Sequence, residues 1–206
     1  MRRIAFALVL VWGVAMGADA QDRLPPIPAD RLTEAQRREI AAFEAARMAS
    51  ISGPFVPLLR SPELMSRVRA IGDYLRFGGV LDARLREMVI LITARQWTQQ
   101  YEWSAHLSIA LEAGLPPAVA QAIAEGRRPD AMTADEALIY DFCQELQTRQ
   151  SVSDTTYAKA VGAFGEQGVI DVVGLSGYYT LLAMVMNTAR TPLPAGRTPD
   201  LPAFPR

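Results

Sequence analysis

One cysteine and one histidine serve all 206 residues. Cys143 alone can build neither a disulfide framework nor a cysteine zinc site. His106 alone rules out a site in which several histidines share a metal. Basic runs are missing as well. The formal net charge is −1, and no cluster of arginine is long enough to follow a phosphate backbone, which sets nucleic acid aside. The alternation of apolar and polar residues that marks a strand occurs nowhere, and neither does a linker or a low-complexity segment. What remains is ordinary for a globular chain: half the residues are hydrophobic and 21% are charged. The length suits one domain with a sizeable core. These features predict an all-α, single-domain helical bundle.

The first twenty residues are a different material. A basic "MRR" precedes the apolar run "IAFALVLVWGVAMG", too short to span a bilayer comfortably, and Ala18-Asp19-Ala20 offers a cleavage site before Gln21. This is the pattern of a secretory signal peptide over residues 1–20, with an uncleaved N-terminal anchor as the other reading. It implies an exported, periplasmic protein with no stable membrane insertion after cleavage. A leader and first helix over 21–57, a helical domain over 58–196 and a tail over 197–206 complete the expected organisation.

Helix signals follow one another along the mature chain. Thr33 to Gln36, "TEAQ", has capping-box spacing and opens an amphipathic run to about Ser50. "SGPFVPLLRSP" breaks it. Ser61 as cap and Pro62 at the first helical position start a helix that ends at Gly78-Gly79. Asp82 caps the next, whose centre, Met88 to Ile92, is apolar on every side and therefore predicted to be buried. "YEWSAHLSIALEAGL", Tyr101 to Leu115, stops at Gly114, and a short helix from Pro116 ends at Gly126. "TADE" at Thr133 is a second capping box, and Ser153 caps a further short helix. The last helix, "VIDVVGLSGYYTLLAMVMNTA", is apolar enough to suggest a membrane span, but Asp171, Gly174, Gly177, Thr180 and Asn187 favour a central buried helix with glycines at close approach. The proline-rich end reads as an extended tail.

The single histidine sits four residues after Glu102. On a helical wheel with Glu102 at zero, His106 falls at about 40° and Trp103, Ala110, Leu107 and Leu111 fill the arc from about 80° to 180°. Ser104, Ser108 and Glu112 take the opposite, solvated side. Glu102 and His106 thus share the apolar arc at touching distance, and a carboxylate in such a place must be paired or shift its pKa. Buried titratable pairs are candidate acid–base groups, although the same spacing also fits an ordinary helix pair at the edge of the core. Trp97 and Trp103 read first as core, and Arg84 and Glu87, three apart on the preceding helix, fit a surface pair.

"REMVILITARQWTQQYEWSAHLSIALEAGL", Arg86 to Leu115, resembles the carboxymuconolactone decarboxylase family, which is also the family of alkylhydroperoxidase D-like proteins. "GYYTLLAMVMNTARTPLPAG", Gly177 to Gly196, resembles the final helix and tail of its decarboxylase-like branch. The resemblance implies an all-helical fold and a homo-oligomer, a trimer or hexamer. It also implies a site made of His106, Glu102 and Glu87. In the peroxidase branch a Cys-x-x-Cys pair precedes the histidine; here those two positions are Gln99 and Glu102. Thiol peroxidase chemistry needs an attacking thiolate and a resolving thiol, and neither stands there.

The decarboxylase branch implies cofactor-free acid–base chemistry. Loss of carbon dioxide sends electrons into a conjugated carbonyl, and the protein must stabilise the dienolate and supply a proton. His106 suits proton delivery and Glu102 would orient it. Arg84, Arg86 or Arg95 would hold the carboxylate, with Trp103 also facing the substrate. The expectation is therefore a lyase acting on a small organic acid or lactone. The alternatives are a peroxide-reducing antioxidant protein and a non-catalytic exported oligomer that binds a small molecule.

Overall fold

The computed structural model describes residues 22–202, so the predicted signal peptide lies outside the described residues. At the centre is α4, Ala83–Gln96, opened by the Asp82 carboxylate, which accepts from the Leu85 amide at 2.9 Å. Its middle, Met88 to Ile92, is buried on every side, as the sequence predicts. Against α4 pack α5, Gln100–Glu112, α6, Pro117–Ala124, α7, Ala134–Arg149, and α8, Asp154–Ala189. On the outside lie α1, Glu34–Arg47, the single turn α2, Phe55–Leu58, and α3, Pro62–Phe77, with α3 also against α8. Regular structure among the described residues is helical only, the all-α fold read from the sequence.

Most boundaries follow local chemistry. The Thr33 capping box closes reciprocally, Gln36 amide to Thr33 Oγ1 at 3.3 Å and Thr33 amide to Gln36 Oε1 at 2.9 Å. The Thr133 amide donates to Glu136 Oε2 at 2.9 Å, and the Ser153 side chain accepts from the Thr156 amide. The differences are local too. α1 stops at Arg47, because Met48 turns left-handed (φ 51°) and closes the helix with its amide on the Glu44 carbonyl, short of the predicted Ser50. Ser61 precedes α3 but makes no side-chain cap; Pro62 begins the helix without it. The segment read as a plain break contains α2, whose Phe55 packs on Phe43 with ring centroids 4.8 Å apart.

α8 contains the two helices that the sequence separates. Gly165 (φ 70°, ψ 170°) is the joint between the Ser153-capped piece and the long apolar one, a backbone state that suits glycine. By length and composition this is the one described helix that could cross a membrane. One face of it is nevertheless core: Val172, Leu175, Tyr179, Leu182, Ala183 and Met186 are buried. Gly174 admits Leu75, whose Cδ2 lies 3.0 Å from where a Cβ would stand, the predicted close approach. Gly177 meets nothing within 4 Å, so the second predicted approach within the chain does not occur. Gly72 of α3, which the sequence did not single out, is the tighter point, because a Cβ there would stand 2.6 Å from Cζ of Tyr178. The extended tail is docked rather than loose. Gln100 donates to the Leu201 carbonyl at 2.8 Å and accepts from its amide at 3.0 Å, and Leu201 is buried.

Candidate active site

α4 and α5 are joined by a turn too short to wander. Thr98 takes a left-handed conformation (φ 46°), costly for a β-branched residue, and the Gln99 amide reaches back to the Ala94 carbonyl at 2.8 Å. Gln99 then caps α5 through its side-chain oxygen, which accepts from the Tyr101 amide at 2.6 Å. Its Nε2 donates to Asn187 Oδ1 at 2.9 Å, and Asn187 Nδ2 donates to the Trp97 carbonyl at 3.1 Å. This knot locks the α4–α5 hairpin to α8. It lays Glu87 opposite His106, nineteen positions away in sequence.

His106 Nδ1 and Glu87 Oε2 are 2.6 Å apart, and the two residues are 8% and 1% exposed. The imidazole is further fixed by Tyr179, edge-on at 5.1 Å between centroids, and Tyr179 packs in the same way on Tyr178. Burial pushes the Tyr179 hydroxyl far above the usual phenol range, so it stays protonated. With Nδ1 engaged, Nε2 is the nitrogen left to a ligand.

Glu102 is not the histidine's partner, which corrects the helix-pair expectation. The hairpin offers Glu87 across the interhelical seam at hydrogen-bond distance, and that contact takes Nδ1. Glu102 is 3% exposed, and neither carboxyl oxygen has a hydrogen-bond partner among the described residues. Burial holds its pKa well above the usual carboxylate range, which favours the neutral acid.

Glu102 and His106 open onto one cavity of about 650 Å³. Its walls come from α1 (Phe43, Arg47), the loop through Ser50 and Ser52, Phe55 of α2, Asp73, Arg76 and Phe77 of α3, Tyr101 and Ala105 of α5, and Tyr178, Tyr179 and Leu182 of α8. The cations expected from sequence are elsewhere. Arg84 binds Asp135 at 2.6 Å and also Glu136, tying α4 to the start of α7. Arg86 reaches the Leu81 carbonyl at 3.4 Å, and Arg95 is buried against the tail at Pro202. None of the three lines the cavity. Trp103 is core at 2% exposed, and Ser104, predicted to be solvated, is buried where α5 packs on its neighbours. The predicted Arg84–Glu87 surface pair does not form, because each has its own partner.

Two arginines that the sequence reading passed over do line the cavity. Arg47 grips Asp73 Oδ1 through Nε at 3.1 Å and Nη2 at 2.7 Å. Arg76, one turn after Asp73, makes no ion pair among the described residues and lies over the Phe77 ring at 5.3 Å. The spacing Asp73–Arg76–Phe77 marks one face of α3, but the cavity assembles only when α1 folds over it. No group of three or more His, Cys, Asp or Glu among the described residues could hold a metal.

Residues 62–140 match the model of the Carboxymuconolactone decarboxylase family. Among solved structures, one similar fold is described as the crystal structure of an alkylhydroperoxidase AhpD core, an uncharacterized peroxidase-related protein from Ralstonia eutropha JMP134. The two share 19% identity with a TM-score of 0.67, over 84% of this chain and 92% of that one. At that identity the likeness speaks for the fold. No curated protein matches the chain.

Proposed function

We propose that this chain, whose residues 62–140 belong to the carboxymuconolactone decarboxylase family, is a cofactor-free acid–base enzyme, a carboxy-lyase in type, acting on an unsaturated organic acid or lactone. The observation that carries the reading is Glu102: a buried carboxyl with both oxygens unpartnered among the described residues, facing a cavity that also reaches His106. Buried polar groups are paired in nearly all folded proteins, and the exceptions need a reason. A proton donor waiting for its acceptor is such a reason. In the step proposed, the bond from substrate carbon to carboxylate breaks and carbon dioxide leaves. The electron pair enters the conjugated carbonyl, whose oxygen accepts a hydrogen bond from His106 Nε2–H with Glu87 holding the ring. Glu102 then delivers its proton to carbon and is reprotonated from water. A cavity open to both groups supports catalysis over a purely structural role. The test is release of carbon dioxide from a panel of carboxylated unsaturated lactones by wild type and by Glu102→Gln.

Peroxide reduction by thiols has no support in the site. Cys143 is fully buried, burial pushes its thiol up to about 12, and it does not line the cavity. Gln99, at one of the peroxidase thiol positions, is a helix cap. Any hydroperoxide turnover is therefore expected to be unchanged in Cys143→Ser. Loss of a robust activity in that variant would restore the peroxidase reading.

The protein is further proposed to be exported and to work as a homo-oligomer. Support for the second comes from α8, whose outer face shows Ile170, Val173, Gly177, Leu181 and Met184 with no charge among them. An uncharged ridge over four turns is the kind of patch that a second subunit covers. Light scattering at micromolar concentration should give a multiple of the subunit mass, and Val173→Glu/Leu181→Glu should reduce it. A wild-type monomer would refute this.

A further inference from the structure

The charged groups around the cavity almost cancel. Asp73 takes Arg47 on one oxygen and Arg69 on the other, at 3.4 Å, while Arg69 also meets Glu39 at 3.6 Å. That cluster holds two cations and two anions. His106 has Glu87. Glu102 is buried, and its carboxyl oxygens have no hydrogen-bond partner among the described residues. Arg76 is left, half-buried on the cavity wall and stacked on Phe77, with no carboxylate of its own.

The rest of the wall is rich in rings. Phe43 and Phe55 stand 4.8 Å apart, tilted by 54°, and the Arg47 guanidinium covers them at 5.2 and 4.8 Å from their centroids. Phe77 lies at the same cavity, 76% exposed, where a ligand would bury it. A volume of about 650 Å³ lies in the roughly 300–1,000 Å³ range of pockets that enclose drug-sized molecules, and it exceeds the need of a six-carbon acid.

We propose that the cavity selects a monocarboxylate bearing an aromatic ring, with Arg76 holding the carboxylate and Phe43, Phe55 and Phe77 receiving the ring. One cation without an ion pair among the described residues of the wall matches one carboxylate. A second carboxylate would be stripped of water against aromatic walls with no counter-ion. Phe43 and Phe55 precede residues 62–140, so part of the selecting wall comes from outside the segment that carries the family match, while Arg76 and Phe77 lie within it. This rests on the cavity being the active site, and it concerns recognition rather than proton transfer.

Calorimetric titration at pH 7 with four probes tests it. These are trans-cinnamate, the uncharged cinnamyl alcohol, the ringless monocarboxylate sorbate and the dicarboxylate cis,cis-muconate. Cinnamate should bind best, by about tenfold or more over each of the others. Arg76→Met should weaken cinnamate by about tenfold or more and leave cinnamyl alcohol unchanged. Phe77→Ala, at an exposed position, should weaken cinnamate by about threefold to tenfold and leave sorbate unchanged. Muconate binding as tightly as cinnamate, an indifferent Arg76→Met, or no binding of any probe would overturn the proposal. Cinnamate preference in a protein that releases no carbon dioxide from any lactone would keep it and end the decarboxylase reading. Turnover combined with a dicarboxylate preference would do the reverse.

Discussion

Glu102→Gln is expected to cut turnover by about a hundredfold to ten-thousandfold, the usual contribution of a general acid, while leaving the fold intact. Glutamine has nearly the shape of the neutral acid that burial favours at this position, so the packing beside Ala105 and His106 survives. It has no proton of suitable acidity to give. The same variant carries a stability signature. A carboxyl whose pKa is raised in the folded state binds its proton more tightly there than in the unfolded chain. Its contribution is therefore full below the unfolded value of about 4.3 and is lost as pH climbs toward the folded value. Glu102 should thus weaken the wild type progressively from about pH 4.5 upward. Glu102→Gln lacks that slope. The thermal midpoints of the two proteins should agree near pH 4, and the variant should be the more stable near pH 8. Loss of turnover together with this divergence identifies a neutral buried acid that works as one. Equal turnover in the two proteins would remove Glu102 from the chemistry.

How the sequence foretold some of this and not the rest has a physical basis. Helix starts were legible because caps are local: Thr33 with Gln36, Thr133 with Glu136, Asp82 and Ser153 act within three residues of themselves. The burial of α4 was legible because an apolar run leaves no solvated face. The periodicity of α5 placed Glu102 and His106 in the interior but could not say which carboxylate the imidazole meets. That depends on the length of the α4–α5 turn, set by Thr98 in a conformation that threonine seldom adopts. Glu87 entered the reading through family resemblance, and the contact itself supplies the physical reason for it.

The cavity was the least legible part. Its cation and its rings come from α1, α2 and α3, elements that are distant along the chain from α5. On their own Arg47, Arg76 and Phe77 look like residues of an exposed helix end. The arginines nearest in sequence to the histidine attract attention for that proximity alone. Arg84 spends its charge on Asp135 and Glu136, a bond that no helical wheel of α4 reveals. Exposed Phe77 on the cavity wall would likewise pass for ordinary surface exposure until the fold brings α1 over α3.

The largest stability effect is expected from His106→Leu. Glu87 is almost wholly buried, and among the described residues the imidazole is its side-chain partner at hydrogen-bond distance. Leucine fills similar space against Tyr179, so the cost is not chiefly a cavity. It is a carboxylate left in the interior with nothing to answer it. Breaking a buried pair by removing one member typically costs about 3–5 kcal/mol, far more than the pair contributes over an apolar substitute. Glu87→Leu combined with His106→Leu removes both members, and much of the lost stability should return, because the orphaned group is gone. Denaturant unfolding of wild type, His106→Leu and the double variant measures the difference. Recovery of about half the loss or more in the double variant is the result expected from a buried, coupled pair. A double variant as unstable as His106→Leu alone would mean that the ring's packing on Tyr179, rather than its bond to Glu87, holds this part of the molecule together. Neither variant should turn over substrate. Stability and activity thus separate here: the double variant regains the fold, while the reaction stays lost because Nε2 is gone.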